Sequence, residues 1–250
     1  MFKRKDGGED APRAVFFDLD NTLYDHRRAA REALAELHRR YDVASSGAGV
    51  DEFVRVFFDV NQRMWLRLAT AEVDVKTLRA RRFAELFASV GAPGPSDAAA
   101  LGQEYLDVYL SYSYPLPGAE ETLAALEPLL PLGLLTNGFA DIQRPKIARL
   151  GWERYFKWVA VAEELGVFKP DAAIYRKMCG MAGLPPGRIL YVGDSPVEDV
   201  ITGRNVGLRT VWVRREGPEV ARWAAEADAD YEVADVRDVV PLVEGILGGG

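Results

Sequence analysis

The sequence contains very little cysteine or histidine. Its 250 residues include one cysteine, Cys179, and two histidines, His26 and His38. A single cysteine excludes an intramolecular disulfide framework, so we expect a packed structural thiol and a reducing, cytoplasmic location. Both histidines fall in one basic predicted helix, where we expect them to face solvent. A metal site in this protein therefore cannot be built on histidine.

Long hydrophobic runs and an excess of positive charge are also absent. No stretch of about 18 uninterrupted apolar residues occurs, which predicts that the chain has no transmembrane helix. The opening MFKRKDGGEDAPR is charged and lacks the apolar core of a secretory signal. The formal net charge of −7 would repel nucleic-acid polymers and anionic membranes. We therefore expect neither as a partner, and expect a small soluble ligand instead.

The apolar residues, 48% of the chain, are enough for a sizeable core and follow two patterns. Across residues 25–113 they recur at helical spacing, which predicts four or more amphipathic helices and no strand. In residues 1–24 and 114–250, helices alternate with short apolar strands. This alternation predicts an α/β core with a parallel sheet. The predicted strands are Ala14–Phe17, Leu132–Thr136, Trp158–Ala162, Ile189–Gly193 and Thr210–Val213.

Polar clusters follow four of these strands. In chain order they are Asp18 with Asp20, Thr136-Asn137-Gly138, Lys169-Pro170-Asp171, and Gly193-Asp194-Ser195 with Asp199. Any one of them alone is typical of a turn or of a solvated side chain. Because the carboxyl ends of parallel strands share one edge of a sheet, we expect the four clusters to meet there. Their convergence favours a functional site.

The charges of these clusters indicate a metal. Four carboxylates, from Asp18, Asp20, Asp194 and Asp199, face the single ammonium of Lys169, which leaves a formal charge of −3. Unit charges about 4 Å apart interact by roughly 4 kcal/mol at an effective dielectric constant of about 20. A phosphate dianion could not enter such a site unaided. Oxygen ligands favour Mg²⁺, which we assign to the side chains of Asp18 and Asp194.

The four segments DLDNT, TNG, FKPD and GDSPVED are similar, in this order, to the four motifs of the haloacid dehalogenase-like hydrolase superfamily. The resemblance covers nearly the whole chain and implies a Rossmann-like core. The helical insert lies between the first and second motifs, which resembles the helical-cap subclass. The resemblance also implies that the backbone carbonyl of Asp20 is a third metal ligand.

The resemblance implies catalytic roles for the first pair of aspartates. Asp18 would be the nucleophile that forms an aspartyl-phosphate. Asp20 would be the general acid for the leaving oxygen and then the general base for the hydrolytic water. For the first step Asp20 must hold a proton, so we predict that crowded carboxylates raise its pKa.

The remaining clusters would handle the phosphate. The hydroxyl of Thr136 and the amide of Asn137 would hydrogen-bond the phosphoryl oxygens, and Lys169 would neutralise their charge. Two interpretations of Asp199 stay open. It lies behind the metal ligands and orients a metal-bound water or Lys169, or it is an acid that only compensates a helix dipole.

Single residues distinguish related activities. Dehalogenases of the superfamily lack the second aspartate, and phosphohexomutases often carry an acid at the place of Gly193. The segments VNQRMWLRLATAEVDVKTLRARRFAELF, YPLPGAEETLAAL and TNGFADIQ resemble the pyrimidine 5′-nucleotidase (nucleoside-monophosphate phosphatase) subgroup. The sequence thus predicts a Mg²⁺-dependent phosphatase acting on a small metabolite, a nucleoside 5′-monophosphate. The alternatives are a sugar-phosphate phosphatase of the N-acylneuraminate 9-phosphate type, a 2-haloacid dehalogenase and a non-catalytic binding scaffold.

Overall fold

The computed structural model describes residues 11–70, 72–95, 97–215, 222–223 and 225–249. Residues 1–10, most of the segment that we predicted to carry no secretory signal, lie outside this part of the chain. The described residues divide into two compact units. One comprises those up to Asp25 together with those from Tyr114 onward, and the other is the helical unit His26–Ser113. That the helical unit acts as a cap stays a prediction.

A six-stranded sheet forms the centre of the first unit. Every neighbouring pair of strands is parallel, and the strand order is β3-β2-β1-β4-β5-β6. The predicted α/β class with a Rossmann-like parallel sheet is therefore confirmed. The strands are β1 (Ala14–Phe17), β2 (Leu132–Thr136), β3 (Phe156–Val161), β4 (Ile189–Gly193), β5 (Arg209–Val213) and β6 (Tyr231–Val233).

Strand β1 lies between β2 and β4, and its four residues are completely buried. A strand in this position is covered on both faces, which explains its continuous apolar sequence. Phe17 is opposite Leu134 of β2 and Val192 of β4. This register brings the ends of the three strands, and the polar residues that follow them, to one edge of the sheet.

Helices connect the strands of the first unit. We number all helices in chain order, so those of this unit are α5 (Ala119–Leu126), α6 (Ala140–Arg149), α7 (Ala162–Leu165), α8 (Ala172–Ala182), α9 (Thr202–Val206) and α10 (Val239–Gly248). Helix α5 is shorter than its sequence pattern predicted. It ends at Leu126, because Pro128 has no N–H with which to continue the helical hydrogen bonds.

Strand β3 and the helix after β4 also differ from the predicted elements. Strand β3 begins at Phe156, two residues earlier than predicted, because Phe156 already pairs with Leu132 of β2. The helix predicted after β4 begins as a π-helical turn, Pro196–Ile201, and becomes α-helical only at Thr202. The Thr202 hydroxyl donates to the carbonyl of Val197, five residues earlier, at 2.9 Å.

The helical unit has an aromatic core. Its helices are α1 (His26–Arg40), α2 (Val50–Ala69), α3 (Val75–Ser89) and α4 (Ala98–Ser111). The ring centroids of Phe57, Phe83 and Tyr105 lie 5.1–5.7 Å apart, and all three side chains are buried. Most aromatic residues of this unit are therefore structural. Within the described residues, no helix has both the length and the apolar character needed to cross a membrane.

The two histidines of α1 do not face solvent, contrary to our expectation. Both are partly buried. His26 Nδ1 lies 2.8 Å from the hydroxyl of Tyr109, and His38 Nε2 lies 2.9 Å from the carbonyl of Ala48. Each ring therefore has a hydrogen-bond partner inside the helical unit for one of its nitrogens, as is usual for buried polar groups.

Candidate active site

Asp18 is the first residue after β1, and a tight turn follows it. Asn21 adopts a left-handed conformation with φ of 67°, which asparagine tolerates, and its N–H donates to the carbonyl of Tyr24 at 2.7 Å. The turn brings Thr22 back to the end of the strand. The Thr22 hydroxyl lies 3.2 Å from a carboxylate oxygen of Asp18 and 3.2 Å from one of Asp194. Thr22, for which we predicted no role, therefore links two of the predicted metal ligands.

Lys169 is buried between two of the carboxylates. Its Nζ donates to Asp18 at 2.6 Å and to Asp199 at 2.8 Å. Burial alone would lower the pKa of Lys169, but the two carboxylates outweigh it and hold that pKa well above its ordinary value. Lys169 is therefore a permanent cation at neutral pH. Asp199 thus contacts Lys169 directly, and its role in the reaction stays a prediction.

Asn137 holds the main chain of Lys169. The Asn137 side chain accepts a hydrogen bond from the Lys169 N–H at 2.9 Å and donates to the Lys169 carbonyl at 3.1 Å. It also lies 3.3 Å from a carboxylate oxygen of Glu198. In this arrangement the side-chain amide of Asn137 stabilises the backbone of the loop that carries Lys169. Its predicted contact with a phosphoryl oxygen stays a prediction.

Three aspartates form a cluster that could hold a metal ion. One carboxylate oxygen from each of Asp18, Asp194 and Asp199 lies within 4.8 Å of the others. Such a set of oxygen donors suits a hard divalent cation. Asp18 and Asp194 were predicted as ligands, whereas Asp199 was expected behind them. The side chain of Asp20 is not in this cluster, and the predicted contribution of its backbone carbonyl stays a prediction.

Asp199 occupies space that only a glycine on β4 leaves open. A Cβ atom built on Gly193 would lie 2.3 Å from Cγ of Asp199 and 2.5 Å from its Cβ. The carboxylate of Asp199 also accepts a hydrogen bond from the Ser195 N–H at 2.9 Å. A glycine at position 193 is thus required by the position of Asp199.

The protonation equilibria of the cluster reflect its crowding. Burial, opposed by Lys169 and assisted by Asp199, raises the pKa of Asp18 from 3.8 to about 7. Burial and the charges of Asp18 and Asp199 raise the pKa of Asp194 well above its ordinary range. Without a cation the carboxyl groups of Asp18 and Asp194 therefore hold their protons more strongly than free carboxyl groups, and a divalent cation would relieve the same repulsion. The residues present therefore fit a metal ion.

The side chain of Asp20 lies outside the three-carboxylate cluster and contacts two hydrogen-bond donors of helix α6. Lys146 Nζ lies 2.5 Å from Asp20 Oδ1, and Gln143 Nε2 donates to Oδ2 at 2.8 Å. Crowded carboxylates, the cause that we predicted for a raised pKa of Asp20, surround Asp18 and Asp194 instead. The raised pKa of Asp20 itself stays a prediction. Burial lowers the pKa of Lys146, and the charge of Asp20 opposes that change.

Sequence reasoning missed both Gln143 and Lys146. The second ammonium changes the formal charge of the site from −3 to −2. The available signal was the helix that follows Thr136-Asn137-Gly138, in which a glutamine and a lysine three residues apart share one face. Thr136 is fully buried, and its hydroxyl oxygen lies 2.8 Å from Gln143 Nε2. The predicted contact of Thr136 with phosphate remains untested.

A parallel sheet whose central strands end in acidic side chains around a buried lysine is typical of an α/β enzyme, and the acidic cluster could hold a metal ion through oxygen ligands. Residues 12–207 match the family model described as haloacid dehalogenase-like hydrolase. The chain belongs to this family, as its motifs predicted.

Characterised proteins support the same assignment. The chain is 31% identical over 232 residues to the pyrimidine 5′-nucleotidase PynA of Streptococcus pneumoniae, with 92% of this chain and 94% of that protein covered. It is also 31% identical over 243 residues to the N-acylneuraminate-9-phosphatase of Rattus norvegicus, with 94% of each covered. The chain is therefore a hydrolase similar to phosphatases and nucleotidases, and the predicted resemblance is confirmed.

A solved structure shares the fold. The HAD-hydrolase YfnB of Bacillus subtilis, crystallised bound to magnesium, superposes with a TM-score of 0.77. The match covers 93% of this chain and 99% of YfnB at 22% sequence identity. At that identity the likeness describes the fold alone.

Proposed function

We propose that this protein is a Mg²⁺-dependent phosphomonoester hydrolase that acts on a small phosphorylated metabolite through an aspartyl-phosphate on Asp18. One observation carries the proposal. Asp18, at the end of the central strand, shares a carboxylate cluster with Asp194 while Lys169 lies 2.6 Å away. A nucleophile, a metal site and a fixed cation thus meet at one point, which is what phosphoryl transfer needs.

The side chains of Asp18 and Asp194, with the backbone carbonyl of Asp20, would hold Mg²⁺. When bound, the ion would neutralise the phosphate charge that the carboxylates otherwise repel. Asp199 already accepts hydrogen bonds from Lys169 and from the Ser195 N–H. We therefore assign Asp199 to orienting Lys169.

In the first step a carboxylate oxygen of Asp18 attacks phosphorus. The bond from phosphorus to the leaving oxygen breaks, and the proton of Asp20 passes to that oxygen. Lys169 neutralises the charge that spreads over the phosphoryl oxygens, and Thr136 and Asn137 hydrogen-bond them. The products of this step are an alcohol and an aspartyl-phosphate on Asp18.

In the second step water attacks the same phosphorus atom. Asp20, now a carboxylate, takes a proton from the water as the bond from phosphorus to Asp18 breaks. Inorganic phosphate leaves, Asp18 is again a carboxylate and Asp20 is again protonated. The first step needs Asp18 as a carboxylate and Asp20 as an acid, and the second step needs Asp20 as a carboxylate.

For the substrate we propose a nucleoside 5′-monophosphate. The similarity to a pyrimidine 5′-nucleotidase and the three sequence segments that resemble that subgroup support this choice. The second candidate is a sugar phosphate, supported by the similarity, at the same 31% identity, to an N-acylneuraminate-9-phosphatase. Because both relatives are 31% identical to this chain, a substrate assay must decide between the two.

The test is a substrate panel with and without metal. The purified full chain is assayed against UMP, dUMP, N-acetylneuraminate 9-phosphate, other sugar phosphates and 2-chloropropionate, in Mg²⁺ or in EDTA. We expect phosphate release that depends on Mg²⁺ and a higher kcat/KM for the nucleotides than for the sugar phosphates. The reverse order would make the sugar phosphates the substrate class. Halide release from 2-chloropropionate alone, or no turnover of any compound, would refute the phosphatase.

A further inference from the structure

Helix α6 supplies a donor to each oxygen of the Asp20 carboxyl group. Lys146 Nζ contacts Oδ1 at 2.5 Å, and Gln143 Nε2 contacts Oδ2 at 2.8 Å. The two donors lie 126 and 123 residues away from Asp20 in the chain. Since they are three residues apart on one helix, they face the carboxyl group together.

Packing does not account for a lysine at position 146. Its side chain is only 2% exposed, and its Nζ lies 4.8 Å from the centre of the Tyr24 ring. Burying an ammonium costs several kcal/mol of desolvation that an apolar side chain of the same length would avoid. We therefore attribute the buried lysine to its contact with Asp20, since the packing of helix α6 does not need it.

Gln143 is itself held by the polar residues that follow β2. Its Nε2 lies 2.8 Å from the Thr136 hydroxyl and 3.0 Å from the Asn137 carbonyl. A Cβ atom on Gly138, whose φ is +150°, would lie 2.7 Å from the same nitrogen. The glycine of Thr136-Asn137-Gly138 thus makes room for the glutamine that reaches Asp20.

We propose that Lys146 and Gln143 are positioning residues that fix the orientation of the Asp20 carboxyl group for proton transfer to the leaving oxygen. The inference rests on the proposed function, in which Asp20 is the general acid. One hydrogen bond to each oxygen prevents the Asp20 carboxyl group from rotating. Holding a catalytic group in the reactive orientation increases the rate of the chemical step. Each oxygen has about two acceptor positions, so an oxygen that accepts from Gln143 has room for the transferable proton.

The experiment compares two substrates of similar size that differ in their need for a proton. p-Nitrophenolate leaves without one, whereas the alkoxide of benzyl phosphate does not. For Lys146→Met and for Gln143→Met we expect kcat/KM for benzyl phosphate to fall at least about 30-fold, because general acid catalysis contributes about 10²–10⁴-fold. For p-nitrophenyl phosphate we expect kcat/KM to stay within about threefold, since the leaving group needs no acid. The ratio also excludes misfolding, because the p-nitrophenyl activity reports the folded site in the same sample.

Two further variants complete the design. Arg149→Met removes an exposed cation from the same helix and should leave both substrates unchanged. In an Asp20→Asn background, Lys146→Met should cause no further loss on benzyl phosphate, because the two residues act as one unit. If one methionine variant fails to fold, the other decides.

The outcomes separate this inference from the proposed function. Equal losses on the two substrates, or a full further loss in the Asp20→Asn background, would overturn the positioning role and leave the phosphatase standing. Wild-type protein that hydrolyses neither ester in Mg²⁺ would instead overturn the proposed function, and this inference with it.

Discussion

Nζ of Lys169 lies 2.6 Å from Oδ1 of Asp18, although the two residues are 151 positions apart in the chain. The same nitrogen lies 2.8 Å from Asp199. The end of β1, the loop after β3 and the turn after β4 thus meet at one buried cation. Because Lys169 neutralises Asp18 and Asp199 together, a substitution of Asp18 alters the electrostatic environment of Lys169 and Asp199 as well as removing the proposed nucleophile.

Asp18→Asn should abolish turnover without unfolding the protein. Asparagine has nearly the same volume and keeps an oxygen that accepts the hydrogen bond from Lys169, but its amide cannot form an acyl phosphate. We expect kcat to fall at least about 10³-fold, as for the loss of other catalytic nucleophiles. Steady-state kinetics and thermal unfolding, measured on the same preparations, check both parts.

Asp171→Asn is the matched control for this variant. Asp171 belongs to the same set of sequence clusters, but its side chain is exposed and caps helix α8 by accepting a hydrogen bond from the Ala173 N–H at 2.8 Å. Asparagine caps helices about as well as aspartate, so activity and stability should both persist. Near-normal activity of Asp18→Asn would refute the assignment of the nucleophile.

The fold was predictable where burial alone determines the sequence. Strands β2 and β4 begin and end where their apolar runs do, because each is buried along its whole length. Strand β6 was missed, since it has only three residues and Glu232 is exposed. A strand this short at the edge of a sheet is defined by its partner, β5, and its own sequence carries too little pattern.

The site was predictable only from the strand ends. Topology alone puts Asp18, Thr136 and Asp194 at one edge of the sheet, because parallel strands share their direction. Lys146 and Gln143 could not be found in this way. Which face of helix α6 meets the site depends on how that helix packs against the sheet, and its few apolar residues indicate the face weakly.

The stabilisation of the protein by Mg²⁺ should increase with pH. In the metal-free protein the pKa of Asp18 is raised from 3.8 to about 7. Between these values the folded state holds a proton that the unfolded state lacks, so this group makes the metal-free protein less stable as pH rises. Mg²⁺ binds the deprotonated carboxylates and offsets that loss.

Thermal unfolding in EDTA and in Mg²⁺ tests this linkage. From about pH 5.5 to about pH 8, the increase in Tm on adding Mg²⁺ should grow for the wild type. It should be small at every pH for Asp18→Asn, which lacks the titrating carboxyl group. An equal increase in the wild type at both ends of this range would contradict the prediction.

Cys179 should be unreactive in the folded protein. Burial raises the pKa of its thiol to about 11, so little thiolate exists near neutral pH, and the side chain is 7% exposed. We expect the thiol to react with Ellman's reagent at least about 100-fold more slowly in the native protein than in guanidinium chloride. Phosphatase activity should survive native treatment with iodoacetamide. Rapid native labelling that also abolishes activity would mean that the thiol lies in the site.

Gly193→Ala should damage the site through Asp199. The added Cβ would lie 2.3 Å from Cγ of Asp199 and 2.5 Å from its Cβ, so rotation of the side chain alone cannot relieve the overlap. Asp199 must shift, which breaks its hydrogen bonds with Lys169 and with the Ser195 N–H. We expect kcat to fall about tenfold or more, and the free energy of unfolding to fall by about 1–3 kcal/mol, as in other overpacked cores.

Gly180→Ala provides the comparison for this substitution. Gly180 lies in helix α8, and a Cβ there would meet no atom within 4 Å. Alanine at that position should leave kcat unchanged and raise the free energy of unfolding by up to about 1 kcal/mol, because alanine is the better helix former. Kinetics and chemical denaturation of the two variants separate a local clash from a general effect of losing a glycine. If both variants behaved alike, the close approach of Asp199 to Gly193 would have no functional consequence, and Asp199 would not be needed to orient Lys169.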